Sequence, residues 1–220
     1  GEPDFDTPWA IRDEGIYSLE KGRTFYTSNA GLKELKQEIC HYLKRRIGVQ
    51  YDFANEVIVT VGGSEGIDIA LRAMLEPGDE VILPIPSFVC YEPIAEMIGA
   101  KVVHIETKLE NKFKITPEEL RAAITPKTKM LILPFPNNPT GAILTREELE
   151  ALAEILRGTN ICVLSDEIYA ELTYGKRHVS IAEIDGMINE QATGWKTDRM
   201  GKVELAIIRL AVYEIKYDDS

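Results

Sequence analysis

Two short segments of the chain carry polar side chains whose types and spacing suit the binding of one ligand. Asp166 and Tyr169 come directly after the apolar run 161–164, and Asn138 comes shortly after the apolar run 130–133. If both runs are strands of a parallel sheet, these residues emerge at the same edge, which is where open α/β sheets bind ligands. A carboxylate, an amide and a phenol hydroxyl that converge there can bracket one flat, charged heterocycle.

Pyridoxal 5′-phosphate is the heterocycle that this set of side chains suits. A carboxylate at Asp166 can pair with a protonated ring nitrogen and so keep the ring electron-withdrawing. The amide of Asn138 and the hydroxyl of Tyr169 can both hydrogen-bond to the phenolic oxygen of the ring. Simpler interpretations stand beside these: Asp166 can cap the next turn next to a solvated Glu167, and Asn-Pro followed by Thr-Gly is a common turn without any ligand.

A glycine turn and an aromatic residue suit the other parts of the same cofactor. The turn 62–66 follows an apolar run and opens a helical pattern, so its backbone N–H groups would attract a phosphate; these belong to Gly63, Ser64 and Glu65. Phe88 follows the apolar run 80–84, where its ring can stack on the ring of the cofactor. The glycines can equally serve conformation alone, and Phe88 can equally pack in the core.

The alternation of apolar patterns predicts the fold that positions these residues. From about residue 31 to residue 172, stretches with helical period alternate with short continuous apolar runs, which is typical of an α/β protein with largely parallel strands. Strands are predicted at 57–61, 80–84, 101–105, 130–133 and 161–164. Helices are predicted over 32–47, from the glycine turn toward Met74, over 92–98, and after the capping boxes at Thr116 and Thr145.

The predicted fold class is a three-layer α/β/α arrangement with a mostly parallel central sheet, followed by a helical C-terminal segment. The alternation of strands and helices ends near residue 186, where a polar stretch begins. We therefore predict an N-terminal arm over 1–30, a cofactor-binding large domain over 31–186 and a separate C-terminal segment over 187–220.

Composition narrows the class of protein further. The formal net charge of −11 argues against nucleic-acid binding, because such binding depends on Lys and Arg neutralising phosphates. Cys40, Cys90 and Cys162 are odd in number and lack metal-ligand spacing, which predicts reduced thiols, no metal site and a cytoplasmic location. No apolar run reaches the roughly 20 residues that span a bilayer, and the chain opens without a basic and apolar leader.

In this order, the motifs resemble the class I and II aminotransferases, which are pyridoxal-phosphate enzymes of fold type I. The resemblance covers most of residues 1–186: the segment 1–5 resembles the substrate-entry segment of the family, and the segment 26–32 resembles its tyrosine-bearing segment. It implies a homodimer in which Tyr26 reaches the cofactor phosphate of the neighbouring subunit. It also implies amino-group transfer between an α-amino acid and a 2-oxo acid, with the residues named above as the cofactor site.

The lysine that forms the Schiff base in this family is not identified in the sequence. The segment Thr193-Gly194-Trp195-Lys196 is similar to the Thr-Gly-Trp-Arg segment of the family, whose arginine follows the Schiff-base lysine by eight residues. The corresponding position here holds Ile188, which cannot form an imine. Lys176, Lys196 and Lys202 are candidate substitutes. The family's small C-terminal domain, which binds the substrate carboxylate with an arginine, has no counterpart in the resemblance.

The sequence leaves several functions open. The leading hypothesis is an aminotransferase in truncated or rearranged form, and the same fold also hosts lyases that act on β-substituted amino acids. A third hypothesis is a non-catalytic domain derived from such an enzyme. A nucleotide-binding Rossmann protein does not fit, because the glycine spacing is not Gly-x-Gly-x-x-Gly and Asn138 and Asp166 would have no role.

Overall fold

The structure, a computed structural model, describes residues 4–184. Its described residues form two compact units: an N-terminal unit of residues 4–46 and 50–60, and a larger unit of residues 47–49 and 61–184. The predicted division of the chain at residues 30 and 186 stays a prediction. The predicted C-terminal helix lies outside the described residues.

Two helices belong to the N-terminal unit. Helix α1 spans Trp9–Glu20 and helix α2 spans Lys33–Ile47. Gly31, with a φ of 100°, precedes α2, and a Cβ there would lie 2.6 Å from the Val59 side chain. The position therefore requires glycine both for its backbone conformation and for this close approach.

The sequence predicted a strand over residues 57–61, and this prediction is wrong for the described part of the chain. The segment has no strand pairing, and Ile58 and Val61 are exposed. The backbone N–H of Val59 donates to the carbonyl of Ala30 at 3.1 Å and not to a neighbouring strand. A β-branched run forms a strand only where another strand satisfies its backbone groups, and residues 4–184 supply none here.

A four-stranded parallel sheet is the centre of the larger unit. Its strands are β1 (Glu80–Ile85), β2 (Lys101–Glu106), β3 (Thr128–Leu133) and β4 (Cys162–Ser165). The spatial order is β2-β1-β3-β4, and every neighbouring pair is parallel. The four apolar runs that predicted these strands are thereby confirmed, as is the parallel sheet.

Four α-helices flank the sheet; the first precedes β1 and the other three connect consecutive strands. They are α3 (Gly63–Met74), α4 (Tyr91–Ile98), α5 (Pro117–Ala123) and α6 (Arg146–Leu156). Both predicted capping boxes are confirmed, because Thr116 and Thr145 each accept from the backbone of the glutamate three residues later, whose carboxylate returns to the cap. A short 3₁₀ helix, Leu109–Asn111, lies between β2 and α5.

The strands bury apolar side chains on both faces of the sheet. Alternate positions along a strand belong to different clusters. Ile82 and Leu131 pack in one cluster, whereas the residues before them, Val81 and Met130, pack in the other. The first cluster includes Leu120 of α5 and Leu149 and Leu152 of α6; the second includes Ile67 and Leu71 of α3 and Ile94 of α4. Helices therefore cover each face, which confirms the three-layer α/β/α architecture.

No helix within residues 4–184 is both long enough and apolar enough to span a membrane.

Candidate active site

Asp166 lies at the carboxyl end of β4, as predicted, and only 6% of its surface is exposed. Its backbone N–H donates to the carbonyl of Leu133, which holds it beside the end of β3. One carboxylate oxygen accepts the backbone N–H of Ile168 at 3.1 Å, so the turn-capping interpretation of this residue is correct. The other oxygen accepts the hydroxyl of Tyr91 at 2.7 Å, so the carboxylate is also fixed from α4.

Tyr91 is the residue of this site that the sequence analysis missed. It is 2% exposed and opens α4, with its ring inside the cluster of α3, α4 and β1. Burial, reinforced by the Asp166 carboxylate, raises the pKa of Tyr91 far above its ordinary value. The hydroxyl therefore stays protonated and donates to Asp166 over the whole working pH range. The available signal was a tyrosine at the first position of a helix that follows a strand end.

Cys90 links the start of α3 to the Asp166 carboxylate. The side chain of Ser64 hydrogen-bonds to the Cys90 thiol, and the charge of Asp166 interacts electrostatically with the thiol. Burial, with Asp166 adding to it, raises the pKa of Cys90 from 9.0 to about 11. The thiol is therefore neutral near pH 7 and adds no second negative charge to the site. Ser64 and Asp166, which the sequence assigned to opposite ends of one cofactor, thus both affect the ionisation of this thiol.

The N-terminus of α3 has the properties of an anion-binding site. Its N-cap, Gly62, has a φ of 82° and makes no side-chain capping bond. The first backbone N–H groups of a helix have no partner within the helix, and here they belong to Gly63, Ser64 and Glu65. The carboxylate of Glu65 accepts the backbone N–H of Val61, so this side chain is bound to the turn that precedes the helix.

Phe88 has the exposure expected of a stacking residue. Its ring is 38% exposed, so packing in the core, the alternative interpretation, does not account for it. The ring lies edge-to-face against Tyr91, with the centroids 6.0 Å apart and an interplanar angle of 82°. The same tyrosine therefore supports both Phe88 and Asp166.

The turn 137–141 is joined to the end of β1. The side-chain amide of Asn137 donates to the carbonyl of Pro86 at 3.2 Å, and its oxygen accepts from the hydroxyl of Thr140 at 2.7 Å. Asn138, the predicted ligand of the phenolic oxygen, is half-buried at the next position. Tyr169 is also half-buried and contributes to the electrostatic environment of Tyr91. The contacts of Asn138 and Tyr169 with a cofactor stay predictions.

The remaining predicted residues lie elsewhere. Tyr26 belongs to the N-terminal unit and is fully exposed, and its role toward a neighbouring subunit stays a prediction. Lys176 is exposed and within electrostatic reach of Glu147 at the start of α6. Lys196, Lys202 and Ile188 lie outside the described residues.

The interpretation of Glu167 as a solvated neighbour of Asp166 is wrong. Its side chain is only 17% exposed and accepts hydrogen bonds from Ser165, His178, Ser180 and the backbone of Ile181. A carboxylate with this many donors is a fixed structural group.

The site fits the chemistry of pyridoxal 5′-phosphate. A buried carboxylate held by hydrogen bonds suits the ring nitrogen, an uncapped helix N-terminus suits the phosphate, and a partly exposed aromatic ring suits the face of the heterocycle. Within residues 4–184 there is no group of three or more His, Cys, Asp or Glu side chains that could hold a metal ion.

The fold is the α/β fold of the pyridoxal-phosphate transferases, and comparison with known proteins specifies the family. The family model described as aminotransferase class I and II matches residues 1–195. The chain belongs to the class I and II aminotransferase family, whose members depend on pyridoxal phosphate.

Individual relatives agree with the family model. The aspartate aminotransferase of Geobacillus stearothermophilus is 43% identical over 209 residues, which is 89% of this chain and 53% of that protein. The crystal structure of an aromatic aminotransferase from Pyrococcus horikoshii matches with a TM-score of 0.82 and 41% identity, over 85% of this chain and 50% of that one. The chain spans about half the length of these relatives.

The raised pKa of Cys90 predicts a pH-dependent stability. Because the folded state holds the proton of this thiol more tightly than the unfolded chain does, the stabilisation is complete below pH 9 and is lost as the pH rises through about 11. Between pH 8 and pH 11, the free energy of unfolding measured in urea should therefore fall by about 1 kcal/mol more in wild type than in Cys90→Ser. The expected difference is modest because the thiol is only half-buried. Parallel pH profiles of the two proteins would contradict this assignment.

Proposed function

We propose that the chain is the cofactor-binding portion of a pyridoxal-phosphate-dependent amino-acid aminotransferase. The observation that carries the proposal is the Asp166 carboxylate, which is buried at the end of β4 and fixed by the Tyr91 hydroxyl. A buried carboxylate in this position can pair with a cationic group, and the pyridinium nitrogen of the cofactor is such a group. Membership of the family supports the same conclusion.

The roles of the described residues follow from their chemistry. When bound, pyridoxal phosphate acts as an electron sink that makes a proton on the α-carbon of an amino acid acidic. Asp166 holds a proton on the ring nitrogen, and Tyr91 keeps the carboxylate aimed by donating to its second oxygen. Phe88 excludes water from one face of the ring. The phosphate binds the first N–H groups of α3, where the helix dipole favours an anion.

Neutral Cys90 has an electrostatic role in this arrangement. The ionisation of the thiol is affected both by the Asp166 carboxylate, which raises its pKa, and by Ser64, which lowers it. A thiolate there would repel the phosphate and would compete with Asp166 for the ring cation. Its raised pKa keeps the site at one negative charge from these two residues across physiological pH.

The substrates in this proposal are an α-amino acid and a 2-oxo acid. Relatives of this chain are named as aspartate and aromatic-amino-acid aminotransferases, so an acidic or an aromatic amino acid is the first choice for a substrate screen. We also propose a cytoplasmic homodimer that shares Tyr26 between sites. Cys40, Cys90 and Cys162 form no disulfide with one another, which supports a reducing compartment.

Borohydride trapping combined with product analysis tests the proposed activity. The full chain is incubated with pyridoxal phosphate, reduced and mapped by peptide mass spectrometry, and a parallel sample receives aspartate or phenylalanine with 2-oxoglutarate as amino acceptor. We expect one modified lysine and the release of the corresponding 2-oxo acid. Release of ammonia with pyruvate from a β-substituted amino acid would indicate a lyase. Cofactor binding with no modified lysine and no oxo acid would overturn the proposed activity and indicate a non-catalytic domain.

A further inference from the structure

The carboxylate of Glu167 is the centre of a hydrogen-bond cluster directly beside Asp166. Its Oε1 accepts from the hydroxyl of Ser165 at 2.8 Å, from the hydroxyl of Ser180 at 3.0 Å and from the backbone N–H of Ile181 at 3.2 Å. Its Oε2 lies 2.8 Å from Nε2 of His178. Three donors therefore converge on one carboxylate oxygen, and the imidazole meets the other.

His178 is dedicated to this one contact. The imidazole is 10% exposed, and because a carboxylate only accepts, Nε2 is the nitrogen that carries the proton toward Glu167. Nδ1 is buried and has no hydrogen-bond partner among the described residues. A buried polar ring with a single polar contact depends on that contact for its orientation. Within residues 4–184, no second hydrogen-bond partner therefore draws the His178 ring away from Glu167.

The turn at the other end of this link is itself fixed. Glu183 accepts the backbone N–H of Ser180 at 3.1 Å and forms an ion pair with Arg146 of α6 at 2.8 Å. Ser180 in turn accepts the backbone N–H of Ala182 at 3.2 Å. Glu167 thus ties the end of β4 to a turn that is anchored on a core helix.

Asp166 and Glu167 are consecutive residues that are bound to different parts of the fold. The carboxylate of Asp166 is held by Tyr91 of α4, whereas the carboxylate of Glu167 is held by the segment 178–181. A single peptide joins the two Cα atoms. Holding the two side chains from two different segments therefore restrains the orientation of that peptide, and with it the direction of the Asp166 carboxylate.

We propose that Glu167 and His178 form a positioning pair that aims Asp166 at the ring nitrogen of the cofactor. This inference rests on the proposed function of Asp166. Neither residue touches the cofactor in this arrangement. Their effect reaches it through the backbone at 166–167, so loss of either residue weakens the contact with the ring nitrogen and leaves the phosphate-binding end of the site unchanged.

A pair of probes isolates the contact with the ring nitrogen. Pyridoxamine 5′-phosphate binds without any lysine, and its 1-deaza analogue has carbon in place of the ring nitrogen. Isothermal titration of the full chain with each probe gives a ratio of the two dissociation constants. We expect wild type to bind pyridoxamine phosphate more tightly than the deaza analogue. In Glu167→Gln and His178→Leu, the ratio of the two dissociation constants should shrink about tenfold, in line with coupling energies inside hydrogen-bond networks. Affinity for the deaza analogue should not change.

Two further variants separate positioning from general damage. His178→Gln retains a donor near the position of Nε2 and should restore most of the preference. Glu183→Gln perturbs the same turn without touching Glu167 and should keep the wild-type ratio. A wild-type preference that survives in folded Glu167→Gln and His178→Leu would overturn the inference, as would an equal loss of affinity for both probes. If wild type itself shows no preference, it is the proposed role of Asp166 that fails.

Discussion

Asp166→Asn is expected to weaken the binding of pyridoxamine 5′-phosphate by the full chain about 10- to 100-fold. The substitution keeps the size of the side chain and removes its charge, so the ring nitrogen loses a charge-assisted hydrogen bond of about 1.5–3 kcal/mol. The burial of Asp166 strengthens this effect, because solvent does not screen the carboxylate there. Isothermal titration calorimetry measures the affinity, and this amine form of the cofactor makes the result independent of any lysine.

The control for this prediction is Asp13→Asn, which removes one negative charge from an exposed position on α1. It should bind the probe like wild type. Urea unfolding of Asp166→Asn establishes that the variant is folded at the titration temperature. Wild-type affinity in a folded Asp166→Asn chain would show that the carboxylate does not meet the cofactor.

Ser64→Asp should separate cofactor binding from stability. A carboxylate at the second position of α3 interacts favourably with the helix dipole, so the free energy of unfolding should stay within about 1 kcal/mol of wild type. The same charge repels a phosphate at the helix N-terminus by about 1–4 kcal/mol at a separation of 4 Å, depending on the local dielectric. Affinity for pyridoxamine phosphate should therefore fall at least about fivefold. Calorimetry and urea unfolding measure the two quantities.

Ser64→Asn is the matched neutral variant for that prediction. Asparagine matches aspartate in size but carries no charge, so Ser64→Asn should lose less than half of the binding free energy that Ser64→Asp loses. Equal losses in both variants would mean that the hydroxyl of Ser64, and not the helix N-terminus, determines phosphate affinity. Unchanged binding in Ser64→Asp would place the phosphate elsewhere.

The parts of the fold that the sequence predicted correctly depend on short-range patterns. The strands β1 to β4 correspond to continuous apolar runs, and the starts of α5 and α6 correspond to capping boxes whose partners are three residues apart. The segment 57–61 has the same type of pattern but no strand beside it in the described chain. Strand formation depends on a neighbour, and composition alone does not report whether a neighbour exists.

Helix α1 was not predicted for a related reason. Trp9–Glu20 has no buried residue, so it lacks the apolar face that reveals a helix packed on a core. Only local propensity and the proline before Trp9 indicate it, and both are weak signals.

The candidate site likewise contains residues that the sequence could predict and residues that it could not. Asp166 and Phe88 could be placed because each follows the end of a strand, a position that the apolar runs determine. Ser64 could be placed because it belongs to the glycine turn that opens α3. The roles of Tyr91 and Glu167 could not be read from the sequence, since they depend on contacts across the fold. Tyr91 lies 75 positions from Asp166, and Glu167 is removed from solvent by a segment that begins at His178. A charged residue beside a ligand-binding aspartate is solvated or buried according to such contacts alone.

A crystal structure of the full chain with pyridoxamine 5′-phosphate tests the central claim most directly. We expect the ring nitrogen within about 3 Å of the Asp166 carboxylate and the phosphate against the backbone N–H groups of Gly63–Glu65. Phe88 should cover one face of the ring. A ring nitrogen that faces solvent, or a phosphate bound away from the N-terminus of α3, would contradict the account.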